Sequence, residues 1–177
     1  MRCTAQDIIN EARKYVGVTG APKGSHNVLF NTWYYGYQVN DTTAYFWCVV
    51  FISFIFAAIG AAMLFCDGNK ANRCKTVREW ATAAGLTVDK STITPGDLVL
   101  FDWEPNNSPD HIALATSAIS NGKFTTIEGN VEDSVKEMTR STDKVALVVR
   151  PKYASSGAAA CSPESCPILA WLESQIK

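Results

Sequence analysis

Apolar and polar positions follow two different periods along this chain, and between them lies a stretch with no period at all. From Ala44 to Cys66, AYFWCVVFISFIFAAIGAAMLFC, there is no charge and almost no polarity. A run of this kind predicts a helix buried on every side. Cys48 stands near its start, directly after Tyr45, Phe46 and Trp47. About twenty apolar residues also suffice to cross a bilayer, so a membrane span is the rival reading. Three features oppose it. No Lys or Arg sits on either immediate flank to set a topology, Ser53 and Gly60 interrupt the run, and the remaining pattern describes a domain that needs a core helix.

Upstream the period is helical. Thr4 is an N-cap candidate with Asp7 in the first turn, and Ile8, Ile9, Ala12, Tyr15 and Val16 form one apolar face that Gly17 closes. GVTGAPKGSHN reads as a loop, VLFNTWYYG as a short aromatic helix, and GYQVNDTTAY as the approach to Cys48. Downstream, Thr76–Ala84 is a further helix ending at Gly85. The period then becomes two. After the turn TPGD come strands in LVLFDW, HIALATSAI, KFTTIEG, the VEDSVKEMTR segment and KVALVVRP, separated by turn residues. Helices first and an antiparallel sheet of about five strands second predicts an α+β fold.

Composition changes at Ala154, where ASSGAAACSPESCP is small and linker-like, and ILAWLESQIK is long enough for two helical turns. The reading is therefore one domain over 1–153 and a linker-like tail over 154–177. The net charge of −1 offers no electrostatic attraction for nucleic acid or an anionic membrane. The first residues, MRCTAQDIINEARKY, hold no apolar segment of secretory type, which points to synthesis in a reducing cytosol. No disulfide framework is assumed there, although Cys66 and Cys74 flank one loop and could bridge if oxidised, and Cys161 and Cys166 lie in the tail. With histidine only at 26 and 111 and no zinc-finger spacing, a four-ligand zinc site is not expected.

A thiol at a helix N-terminus gains from the helix dipole, and the unpaired first-turn N–H groups face an incoming carbonyl oxygen. Cys48 meets both conditions. Its partner must be a histidine, which lowers the thiol pKa from about 8.5 more strongly than the dipole does. His26 lies in a Gly/Ser/Asn loop, where a solvated ring is the ordinary case. His111 opens an alternating strand, a more rigid mount. The following strand ends in IEGN, so a hairpin brings Glu128 and Asn130 near His111. Their spacing of two puts both on one face, where either can accept the imidazole Nδ1–H. Each residue has a plainer reading: a core thiol, a water-bonded histidine, a strand-end carboxylate.

WCVVF, TPGDLVLFDW, DHIALATSA, TTIEGN and RPKY, in this order and at these intervals, resemble the CHAP family of cysteine, histidine-dependent amidohydrolases/peptidases, found in phage endolysins and bacterial cell-wall hydrolases. The resemblance covers about residues 4–153. It implies a papain-like α+β fold and cleavage of amide bonds in peptidoglycan, by an N-acetylmuramoyl-L-alanine amidase or an endopeptidase. It makes Cys48 the nucleophile, His111 the general base and acid, Glu128 the orienting carboxylate and Asn130 a further polar member. Trp47 is expected to wall the groove, and Trp33, Tyr35, Asp102 and Trp103 to bind substrate.

Some family members bind calcium before the cysteine. Asp41 and Asn40 alone are too few ligands, so no metal or cofactor is expected. The implied partner is bacterial peptidoglycan, met by a monomer made in the host cytoplasm and acting on the wall after release. The tail then reads as the remnant of a connection to a wall-binding module. The competing functions are a papain-like protease or transamidase acting on protein, a membrane-inserted protein, and a non-catalytic wall-binding module.

Overall fold

The computed structural model describes residues 3–155. The expected helix in ILAWLESQIK, and Cys161 and Cys166, lie outside the described residues. Helix α1 (Ala5–Arg13) begins at a reciprocal cap: Thr4 Oγ1 accepts the Asp7 N–H, and the Asp7 carboxylate accepts the Thr4 N–H. Its buried face is Ile8, Ile9 and Ala12. The helix stops short of Gly17 because strand pairing claims the backbone there. The Gly17 N–H donates to Val135 O, and Val18 O accepts the Val135 N–H. Helix α2 is Leu29–Tyr35.

The apolar run becomes a shorter helix than its hydropathy predicts. Helix α3 spans Cys48–Ala58, and nearly all its residues are buried. Upstream, the Asp41 carboxylate takes the N–H groups of Thr43 and Ala44, and Tyr45 adopts φ +62°, which excludes helix before Trp47. Downstream, Gly60 at φ +72° ends the helix, with the Ala61 N–H bonded to Phe56 O at 2.8 Å. The rest of the run makes two tight 3-10 turns, Ala62–Leu64 and Cys66–Gly68. Among the described residues no helix is long and apolar enough to cross a membrane. Phe51, Phe54, Ile52 and Ile55 are fully buried, and each contributes about 1.5–3 kcal/mol to folding. Helix α4 is Cys74–Ala83.

The sheet has six strands, all antiparallel, in the order β1-β6-β2-β3-β4-β5. They are β1 (Thr87–Val88), β2 (Leu98–Phe101), β3 (His111–Ala115), β4 (Lys123–Val131), β5 (Ser134–Ser141) and β6 (Val145–Val149). The one beyond the expected five is the two-residue β1. Leu98, Leu100, Ile112, Leu114 and Ile127 pack with the helices in the main core, while Val99, Phe101, Ala113, Ala115 and Phe124 form a second cluster. Period-two alternation therefore serves two apolar faces. Helix α3 packs on β3 and β4. Cys66 and Cys74 are free thiols, whereas Cys3 is disulfide-bonded.

Candidate active site

Cys48 is the first residue of α3. Its N-cap, Trp47, has no acceptor in its side chain, so no cap bond occupies the first-turn N–H groups. Cys48 is buried, with 7% of its residue surface exposed. A hydrogen bond from Cys74 is the largest reason its pKa lies well below the ordinary thiol value. Burial opposes that shift, and His111, by hydrogen bond and by charge, together with the Ile112 N–H, lowers it further. Cys74 heads α4, so two helix starts meet at one sulfur. Its own thiol is held protonated by the bond to Cys48, by burial, and by the charges of Cys48 and Asp110.

His111 opens β3 and is 9% exposed. Its Nε2 lies 2.8 Å from Glu128 Oε2, which leaves Nδ1 for the sulfur. The ring is thus turned opposite to the expected orientation, in which Nδ1 met the carboxylate. The physical reason is where the acceptor sits: Glu128 lies on neighbouring β4 with no exposure, while Cys48 stands at the start of α3. Burial alone pulls the His111 pKa down, but hydrogen bonds and charges from Cys48 and Glu128 outweigh it and raise it to about 9. Both shifts favour a thiolate–imidazolium pair.

Glu128 is saturated. Arg140 Nε donates to Oε1 at 2.8 Å and Nη2 to Oε2 at 2.6 Å, while Thr126 Oγ1 donates to Oε1. Burial would raise its pKa, yet the bonds from Arg140 and His111, the His111 charge and the Thr126 hydroxyl bring it to about 2. The Arg140 guanidinium lies 5.1 Å from the Trp103 ring centre and 5.8 Å from that of Phe101.

The remaining sequence-selected residues separate. Asn130 does not share a face with Glu128. A register shift between Glu128 and Val131, with Asn130 at φ +64°, breaks the alternation on which that expectation rested. Trp47 does not wall a groove: it has no exposed surface and packs on Phe30 with ring centres 5.5 Å apart. Trp33 packs on Phe54 and lies beneath Lys70. The Tyr35 hydroxyl accepts from Asn72, and its ring meets Tyr45 edge-on at 5.0 Å. Trp103 is 39% exposed and stacks on Phe101 at 4.8 Å, 6.3 Å from the His111 ring. Asp102 holds its own loop by accepting the Asn107 N–H at 2.9 Å. His26 is buried rather than solvated: its Nδ1 bonds Ala44 O, and Nε2 lies 3.2 Å from Asp133.

Sequence reasoning did not place Cys74, Thr126, Gly129 or Arg140 at the site; it weighed Cys74 only as a possible bridge to Cys66. Arg140 carried a readable signal, a cation on the strand following Glu128, but the diagonal register that joins them is not written in the spacing. The sequence model of the CHAP domain matches residues 39–130, more than half of the chain. The chain belongs to the CHAP family. No curated protein matches it by sequence.

Among solved structures, Ly7917 with the hydrolyzing product of MDP shares the CHAP chain's fold at a TM-score of 0.51 and 14% identity, over 84% of this chain and 63% of that one. A second structure of Ly7917 gives 0.48 at 15% identity, over 84% and 62%. An NlpC/P60 family protein from Bacillus cereus ATCC 10987 gives 0.48 at 16% identity, over 85% and 41%. The CHAP chain thus spans about three fifths of the length of Ly7917.

Proposed function

We propose that this chain is an endolysin-like peptidoglycan hydrolase that cleaves amide bonds of the bacterial cell wall through an acyl-enzyme on Cys48. The observation that carries the reading is His111, held by Glu128 at 2.8 Å, lowering the pKa of Cys48 at the start of α3. In the first half-reaction the thiolate attacks an amide carbonyl, and the first-turn N–H groups of α3 receive the oxyanion. His111 gives its proton to the leaving amine as the C–N bond breaks. In the second half-reaction His111 takes a proton from water, hydroxide adds to the thioester, and the acid leaves as the sulfur regains its electron pair. Glu128 holds the ring throughout and stays ionised.

The bond is an amide of the stem region, either N-acetylmuramoyl-L-alanine or a peptide link. The Ly7917 structure described with the hydrolyzing product of MDP supports this substrate class by fold. Trp103 on the His111 side, and Tyr35 with Tyr45 on the approach to α3, are the aromatic surfaces proposed to meet the substrate. The protein is proposed to act as a monomer on the wall after release from the host cytoplasm. Turbidity of purified walls tests the activity, and mass spectrometry of the released fragments identifies the bond. Cleavage of wall amides dependent on Cys48 is expected; intact walls alongside cleaved protein substrates would move the chain to the protease reading.

A further inference from the structure

We propose that Arg140 is a positioning residue of this site: its guanidinium fork sets the rotation of the Glu128 carboxylate, so that one oxygen faces His111 Nε2, and keeps that carboxylate charged inside the protein. The inference rests on the hydrolase reading for its turnover test but not for its chemistry.

A carboxylate with no exposed surface takes up a proton unless donors and a cation meet it. Four donor groups reach Glu128: Thr126 Oγ1, Arg140 Nε, Arg140 Nη2 and His111 Nε2. They match the four lone-pair sites of a carboxylate, so the group has one rotation and no free acceptor. His111 cannot hold Glu128 charged by itself, because His111 releases its proton to the leaving amine during the reaction. Arg140 never releases one. The charge of Glu128 is therefore independent of the stage of the cycle. Cys48, His111, Glu128 and Arg140 make a neutral set of two anions and two cations, so burying it does not leave a net charge behind.

The placement is particular to this hairpin. Arg140 pairs with Phe124 in the β4–β5 register, and Glu128 pairs with Lys136, so the Arg140 side chain runs along the sheet past Thr126. Trp103 and Phe101 lie beside that path. The Arg140 side chain keeps 21% of its surface exposed, and Glu128 none. Among the described groups, those charged and bonded to Glu128 are His111 from β3 and Arg140 from β5, with Cys48 beyond His111; Lys136, opposite Glu128 in the register, gives its ammonium to Glu132 instead. A lysine at 140 supplies charge without the fork.

The test uses the full chain with R140M and R140K. Two quantities are read: the pH dependence of Cys48 alkylation by iodoacetamide, followed by peptide mapping without substrate, and kcat and KM on soluble peptidoglycan fragments. For R140M the acid edge of alkylation should move up by about one pH unit. Its kcat should fall by about a hundredfold, with KM changed less than about twofold. R140K should keep the edge and lose about tenfold in kcat. In an E128Q background, R140M should change neither quantity further. An R140M edge that does not move, with kcat within about twofold of the parent, overturns the proposal. Should R140M not fold, R140K decides, and parental kcat in R140K overturns the role of the fork. A moved edge in a chain that cleaves no wall fragments leaves Arg140 in place and sinks the substrate reading instead.

Discussion

Gly129 lies against Phe51 so closely that a Cβ on residue 129 would stand 2.6 Å from Phe51 Cβ and 3.0 Å from Trp47 Cζ3. The end of β4, carrying Glu128, is thereby drawn against the first turn of α3, carrying Cys48. Neither neighbour can yield, since Phe51 and Trp47 have no exposed surface. Gly129→Ala should cost about 1–3 kcal/mol by overpacking and lower turnover together with Tm. Thermal melts and wall-turbidity assays on the one variant check both. An alanine variant with parental Tm would show that β4 and α3 are not packed this tightly.

Cys48→Ala removes the sulfur but little volume, so it should fold as the parent does and lose nearly all turnover. Loss of a nucleophile costs on the order of 10⁴–10⁶ in kcat. Alkylation of Cys48 should abolish activity in step with its modification, followed by mass spectrometry. Turnover persisting after that thiol is fully alkylated would exclude the acyl-enzyme.

The pH dependence has signs fixed by two groups. His111 is raised to about 9, so the imidazolium is held at neutral pH and turnover should fall as pH rises through about 9. Its contribution to stability is complete below the ordinary histidine value of 6.5 and is lost as pH rises through about 9. Glu128 is depressed to about 2, so its contribution is complete above the ordinary glutamate value of 4.5 and is lost as pH falls toward 2. A pH–rate profile and a denaturation series across pH measure these edges. An alkaline edge near the unperturbed histidine value would contradict the ion pair.

Cys74 is the largest influence that lowers the Cys48 pKa, so its removal should weaken the thiolate. Cys74→Ala is expected to slow alkylation of Cys48 at mildly acidic pH. Cys74→Ser, which keeps a donor, should slow it less. Equal rates in all three proteins would remove Cys74 from the site.

At the end of β2 away from His111, Asp97 is 1% exposed and takes Arg150 Nε and Nη2, both at 2.8 Å. Arg150 is itself partly exposed, which softens the loss of the partner. Arg150→Met should destabilise the protein by about 1–3 kcal/mol, from the buried carboxylate left without its cation and with only the Thr94 donors. Its catalytic rate per folded molecule should not change, because neither residue touches the site. Chemical denaturation checks the first expectation, and turnover normalised to folded protein the second.

Much was legible in order and period. Thr4 and Asp7 announce α1 because a capping box is a local arrangement, closed within four residues. The β-strands from Leu98 onward are legible because alternation and turn residues act at short range. The length of α3 was not. Hydropathy sees only the run, whereas the helix is cut by the Asp41 turn before it and by the backbone of Gly60 after it. The bulge that separates Asn130 from Glu128 was hidden for a related reason: spacing assumes a regular strand, and Asn130 takes a left-handed conformation that no count of two reveals.

By itself the sequence determined the fold class, the CHAP family, and the presence of a cysteine before a wholly apolar helix with a histidine opening a later strand. Those properties depend on neighbours along the chain and on motifs kept in order. Only the tertiary structure decided which imidazole nitrogen meets Glu128, that Arg140 and Thr126 complete that carboxylate, that Cys74 joins the sulfur, and that Trp47 belongs to the core. Each of these is a pairing across separate elements, set by strand register and by how closely α3 can approach β4. Side-chain chemistry names the groups that can act; packing distance chooses which of them meet.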